Sequence, residues 1–173
     1  MKSKDISSLA NPELKFLLSL RKNKIRKKEE KSLAEGYREN IQLIKSNYAI
    51  DTLYICDDLF MGENNFELVD KFKNKNIRIV KLSKKVFAAL SYRDKSDGII
   101  SLFETKDLSL IDNPLSGPIF IADKIEKPGN LGTMIRTARS FNIKNIIASD
   151  SVTDIYNPNV IRSSIGHIFN INI

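Results

Sequence analysis

The alternation of short apolar runs with segments of helical spacing is the feature that most narrows the folds open to this chain. Pro12 stands at a favourable first-turn position, and Leu14, Leu17 and Leu18 follow at i, i+3 and i+4, which predicts an amphipathic helix. A short apolar segment ending SLAEG reads as a strand, and YRENIQLIKS repeats Tyr37, Ile41 and Ile44 at helical spacing. DTLYIC (51–56) is a strand candidate. NNFELVDKFKN (64–74) is a helix with Phe66, Val69 and Phe72 on one side, and IRIV (77–80) is another strand. SKKVFAALS opens with a serine cap and forms a short helix, and RDKSDG is turn chemistry leading into the strand GIISLF. Strands and helices in this rhythm predict an α/β layer with a mainly parallel sheet covered by helices on both faces.

That first unit spans residues 1–110. LIDNPLSGP carries two prolines and a glycine without periodicity, so 111–117 reads as a linker. A second α/β unit occupies 118–173: strand PIFIAD, a helix from Asn130 to Phe141, strand NIIAS, a helix from Pro158 and a last strand HIFNINI. With no closing helix over that strand an apolar edge is left bare, and the expectation is that more chain follows in the parent protein.

Composition removes several function classes. Hydrophobic residues make up 42 % and charged residues 28 %, the mixture of a globular protein with a packed core. No apolar run approaches the ~20 residues that span a bilayer, and the N-terminus has no apolar signal core, so a cytoplasmic protein without a membrane partner is expected. Cys56 is the sole cysteine and lies in an apolar run, which predicts a buried side chain. His167 is the sole histidine and reads as a surface or core-edge residue; no metal site is expected.

The net charge of +7 is clustered: from Lys15 to Lys31 there are eight Lys or Arg against two Glu. Arg21, Lys22, Lys24, Arg26, Lys27 and Lys28 suit a phosphate backbone, and a solvated helix face fits the same run.

The stretch EKPGNLGTMIRTARSFNIKNII (126–147) is the most informative. It follows a predicted strand, where ligands of open α/β sheets collect, and Asn130 reads as an N-cap. Leu131, Met134 or Ile135, Ala138 and Phe141 define a buried face, and Arg136 and Arg139 project from another near the helix start. The pattern is a phosphate- or nucleic-acid-handling turn, or else an ordinary βα loop with two solvated arginines. It contains neither GxGxxG nor GxxxxGK[ST].

PGNLGTMIRTA closely resembles the first motif of the SpoU-type branch of the SPOUT methyltransferases, Pro-x-Asn-x-Gly-x-x-x-Arg-Thr-Ala. DIYNPNVIRSSIGHIFNI (154–171) is similar to the segment that follows it in the family, and RKNKIRKKEEKSLAEGYRENIQLI looks like the family's substrate-binding extension. The middle, 51–110, matches only in pattern.

This resemblance implies methyl transfer from S-adenosylmethionine to a ribose 2′-OH of rRNA or tRNA. It implies Arg136 and Asn130 as catalytic residues and, more weakly, Arg162 toward the RNA; Arg139, beside Arg136 on the same helix, is expected on the RNA from the reading of the turn. It also implies a homodimer, a ribosomal-protein-like α/β/α first domain, and a Rossmann-like catalytic domain tied in a trefoil knot. The family's later motifs, which supply most of the cofactor pocket, the knot and the dimer contact, have no counterpart up to residue 173. An inactive fragment with unknown cofactor contacts is therefore expected. A non-catalytic RNA-binding module is the alternative.

Overall fold

A computed structural model describes residues 4–109, 115–150 and 152–173, with Lys4 given as backbone alone. Most of the expected linker, 111–114, lies outside the described residues.

The first unit is a five-stranded sheet in the order β1-β4-β3-β5-β2, from strands β1 (Lys4–Ile6), β2 (Lys31–Glu35), β3 (Ile50–Ile55), β4 (Arg78–Leu82) and β5 (Ile99–Glu104). Period-two alternation sorts its side chains. On β3, Leu53 and Ile55 face one cluster with Leu68, Val69 and Phe72, while Tyr54 and, just past the strand end, Cys56 face another with Leu14, Leu17, Val86 and Phe87. The first cluster is covered by α3 (Tyr37–Lys45) and α4 (Glu63–Asn74), and the second by α1 (Pro12–Ser19) and α5 (Lys84–Leu90). Helices on both faces are thus as expected.

The sheet is mixed where a mainly parallel one was expected. β1, β4 and β3 run parallel, but β5 is antiparallel to both β3 and β2 and sits between them. Hydrophobic periodicity is the same for either direction, so pairing sense is invisible to it. Phe66 also departs from expectation. The buried stripe of α4 is Asn65, Leu68, Val69 and Phe72. Phe66 is 51 % exposed, its ring edge-on to Phe60 at 4.9 Å.

The second unit has a two-stranded parallel sheet, β6 (Ile119–Asp123) and β7 (Asn145–Ser149), with helices α6 (Pro128–Ser140) and α7 (Pro158–Ser163). The expected last strand is instead a 3₁₀ turn, His167–Asn170, and only Asn172 bridges to Asn145. Ile165 turns the chain with a positive φ of 53°, and the adjacent Ile168 and Phe169 are both buried, which a strand with alternating faces does not permit.

One apolar cluster crosses the two units. Ala34, Leu43 and Phe103 of the first pack with Leu131, Ile135, Val160, Ile161 and Phe169 of the second. Rings of Tyr48, Phe103, Tyr156 and Phe169 meet edge to face within it. Polar bonds flank this core: the Ser32 hydroxyl donates to the Tyr156 carbonyl at 2.8 Å, and Asn170 Nδ2 donates to Gln42 Oε1 at 3.0 Å. Among the described residues no helix is long and apolar enough to cross a membrane.

Candidate RNA-binding cleft

The helix carrying the most informative motif starts at Pro128, a proline at the first helical position, with Lys127 as a cap that makes no side-chain bond. Asn130 is therefore not the N-cap. It lies exposed in the first turn, its N–H donating to the Lys127 carbonyl at 3.0 Å. Arg136 is six residues further on, about 9 Å along the axis, so it projects from the body of α6 rather than from its start. The buried face is Leu131, Gly132, Ile135 and Ala138, while Phe141 is 77 % exposed.

Gly132 brings α6 and α7 together. A Cβ built there would lie 1.9 Å from Ser163 Oγ and 2.6 Å from the Val160 carbonyl, so only a glycine permits this approach. The close packing places Arg162, next to Ser163, on the same wall as Arg136.

The opposite wall belongs to the first unit. Three carboxylates clip the loop 91–97 to the turn between β2 and α3. Glu35 accepts from the Ser91 hydroxyl and from the Tyr92 N–H at 2.7 Å. Glu39 Oε1 accepts from Arg93 Nη2 at 2.6 Å, and Asp97 Oδ2 accepts from the Tyr37 N–H at 2.7 Å. Behind the loop, Arg21 Nη2 donates to the Ala89 and Ser91 carbonyls at 2.9 and 3.2 Å, and its guanidinium stacks over the Tyr92 ring at 5.1 Å.

Between the walls lies an open cleft of about 910 Å³, onto which Arg38, Arg93, Lys95, Arg136 and Arg162 all open. Its carboxylates do not cancel these charges evenly. Glu39 is buried and tied to Arg93, Asp97 is tied to backbone, and Asp94 alone of the three is exposed, so five cations face three carboxylates. Burial pushes the Glu39 pKa above the usual carboxylate value against the pull of Arg93. His167 is shifted the other way, held below its usual value by burial and by the fields of Arg139 and Arg136, so its imidazole is neutral at pH 7. A polyanion suits such a cleft.

The expected site residues separate. Arg136 and Arg162 converge in the cleft, whereas Asn130 and the half-buried Arg139 are not on its walls. Lys22, Lys24, Lys27 and Lys28 are exposed on or beside α2 (Asn23–Glu29). Arg26 is a correction. It is buried, its Nε and Nη2 donating to Asp154 Oδ2 at 2.8 and 2.5 Å and its Nη1 to the Leu20 carbonyl at 2.7 Å, so it joins the two units instead of meeting phosphate. No pattern in the sequence marks Arg38, Arg93 and Lys95 as cleft residues. The one local trace of them is the Glu-Gly turn, and no spacing links it to a loop whose arginine is 58 residues away.

Residues 11–101 match the model of the MRM3-like substrate binding domain, and residues 117–173 match that of the SpoU rRNA Methylase family. An uncharacterized tRNA/rRNA methyltransferase of Synechocystis sp. is 26 % identical over 161 residues, 93 % of this chain and 58 % of that protein. The 23S rRNA (guanosine(2553)-2′-O)-methyltransferase RlmP of Bacillus subtilis is 25 % identical over 170 residues, 98 % of this chain and 64 % of that protein. Among solved structures, an AdoMet-bound rRNA methyltransferase from Sinorhizobium meliloti superposes with a TM-score of 0.83 at 27 % identity, covering 100 % of this chain and 64 % of that one. The chain thus spans between 58 % and 64 % of the length of these relatives.

Proposed function

Because the chain belongs to the SpoU rRNA methylase family, we propose that it forms the RNA-holding part of a ribose 2′-O-methyltransferase acting on rRNA or tRNA. The observation that carries this reading is the convergence of Arg136 and Arg162 with three cations of the first unit on one cleft. In this division, 1–110 is the RNA-binding domain, 111–117 a linker and 118–173 the first part of the methyltransferase domain. The separation of the strands into two sheets supports it. A cytoplasmic setting and a homodimer are proposed with it on family likeness.

S-adenosylmethionine is the cofactor of this family, and the Sinorhizobium meliloti relative was solved with it bound. The cleft suits RNA better than this cofactor: its five cations outnumber its three carboxylates, and that excess favours a polyanion over a ligand whose sulfonium and ammonium outweigh its single carboxylate. The cleft residues instead act on the RNA. A ribose hydroxyl is a poor nucleophile at neutral pH, so transfer depends on holding it in line and on stabilising the charge that develops on its oxygen. Arginine stays protonated and presents a planar fork. Arg136 accordingly clamps the phosphate next to the reacting ribose and stabilises the developing alkoxide, while Arg162 fixes the strand beside it.

Single-turnover transfer of tritiated methyl to RNA by the full-length protein tests this. Arg136→Ala and Arg136→Lys should each lower the rate at least about a hundredfold, since lysine keeps the charge but loses the fork. A near-normal rate in Arg136→Ala would leave a binding module without catalysis of its own.

A further inference from the structure

We propose that Arg93, contributed by the first domain, is a substrate-positioning residue that grips a second phosphate of the RNA strand across the cleft from Arg136 and Arg162. This rests on the RNA-methyltransferase reading and extends it, because it makes the first domain part of the reaction mouth and not merely a distant anchor.

The guanidinium is placed before any ligand arrives. Arg93 Nη2 donates to the Glu35 carbonyl at 2.8 Å and to Glu39 Oε1 at 2.6 Å, and the side chain is 21 % exposed. Preorganisation of this kind removes much of the entropy cost of gripping an anion. Gly36 makes it possible: a Cβ at that position would lie 2.6 and 2.7 Å from Arg93 Nη2 and Nη1, and its φ of +112° disfavours any other residue.

The fork is only partly used inside the protein. A guanidinium carries five N–H donors; Arg93 Nε is buried and Nη2 is engaged, while among the described residues no bond is made by Nη1, which is left for a ligand. A held guanidinium with an unused Nη1 on the wall of a cationic cleft suits an anionic ligand. At about 910 Å³ the cleft lies at the upper end of ligand-site volumes, large enough for a nucleotide with its flanking phosphates. Arg136 and Arg162 stand on one wall and Arg93 on the other, so consecutive phosphates of a single strand account for both.

A purely structural role, neutralising buried Glu39, is the rival, and the test separates the two. The 173-residue chain is titrated with a short mixed-sequence single-stranded RNA, labelled with fluorescein at one end, across a range of KCl concentrations. The comparison is between Glu39→Gln and the double variant Glu39→Gln/Arg93→Gln. With no buried carboxylate left unpaired in either, both should fold, and melting curves confirm this. Adding Arg93→Gln should weaken binding roughly tenfold and make the log–log salt slope shallower by about 0.7, the value for one phosphate contact on a single strand. Arg93→Lys alone should keep the slope and lose part of the affinity. Equal slopes and affinities for the single and double variants overturn the proposal. Arg136→Gln/Arg162→Gln serves as the reference arm. If it shortens the slope while Arg93 does not, only this inference fails; if it too leaves the slope unchanged, the cleft is not an RNA site and the parent reading falls.

Discussion

The molecule carries two basic regions, and they differ in kind. On α2 and just before it, Lys22, Lys24, Lys27 and Lys28 lie close together in sequence and point into solvent. In the cleft, Arg38, Arg93, Lys95, Arg136 and Arg162 come from distant segments and meet between the two sheet units. A dense exposed run has free side chains and little geometric definition, which suits non-specific anchoring to a phosphate backbone. The cleft holds at least one of its cations by buried carboxylate and carbonyl bonds, the condition for orienting a substrate. Charge density alone marks the first, and convergence in space marks the second.

The sharpest way to break this comparison is within the basic run itself. Arg26→Ala should destabilise the chain by about 3 kcal/mol because it removes a buried guanidinium and leaves the largely covered Asp154 carboxylate without its ion-pair partner. Its neighbours Lys27→Ala and Lys28→Ala should change stability by no more than about 0.5 kcal/mol. Thermal or urea unfolding reads both. If all three behave alike, Arg26 belongs with the exposed charges after all.

Gly132→Ala probes the opposite region. Its Cβ meets Ser163 Oγ and the Val160 carbonyl, so α6 and α7 must separate, at a cost of about 1–3 kcal/mol in overpacking. RNA affinity should fall with it, because Arg136 and Arg162 are set by that contact. A variant as stable and as tight-binding as the parent chain would disconnect the helix packing from the cleft.

On the exposed patch, changing Lys24, Lys27 and Lys28 together to Gln should leave the melting temperature in place and make the salt slope of single-stranded RNA binding shallower by about 2. An unchanged slope would reduce the patch to a solvated face. The smallest effect concerns His167. Its pKa is lowered in the folded chain by burial and by Arg139 and Arg136, relative to an unfolded value of about 6.5. Its contribution is therefore fully present above that unfolded value and is lost as pH falls through the lower folded one. Glu39, raised by burial, works in the opposite sense, gaining as pH falls. The drop in melting temperature from neutral to mildly acidic pH should thus be smaller in His167→Gln, and an equal drop would mean that neither burial nor the two arginines lower the pKa of this side chain in the folded chain.

Much of the architecture was readable along the chain. The alternating strands and helices, the burial of Cys56, the face of α1, the serine cap of α5 and the βα turn before α6 follow from patterns a few residues long, where side-chain direction is set by the local period. The resemblance of PGNLGTMIRTA to a known motif rests on the same short range. Three things were decided only by tertiary structure: β5 inserted antiparallel between β2 and β3, Arg26 turned inward to Asp154 across 128 residues, and Arg93 brought to Glu39 across 54. An arginine in a basic run and an arginine in a turn look alike locally. What separates anchor, strut and clamp is the partner each finds, and the partner lies far along the chain and is set by how the layers pack.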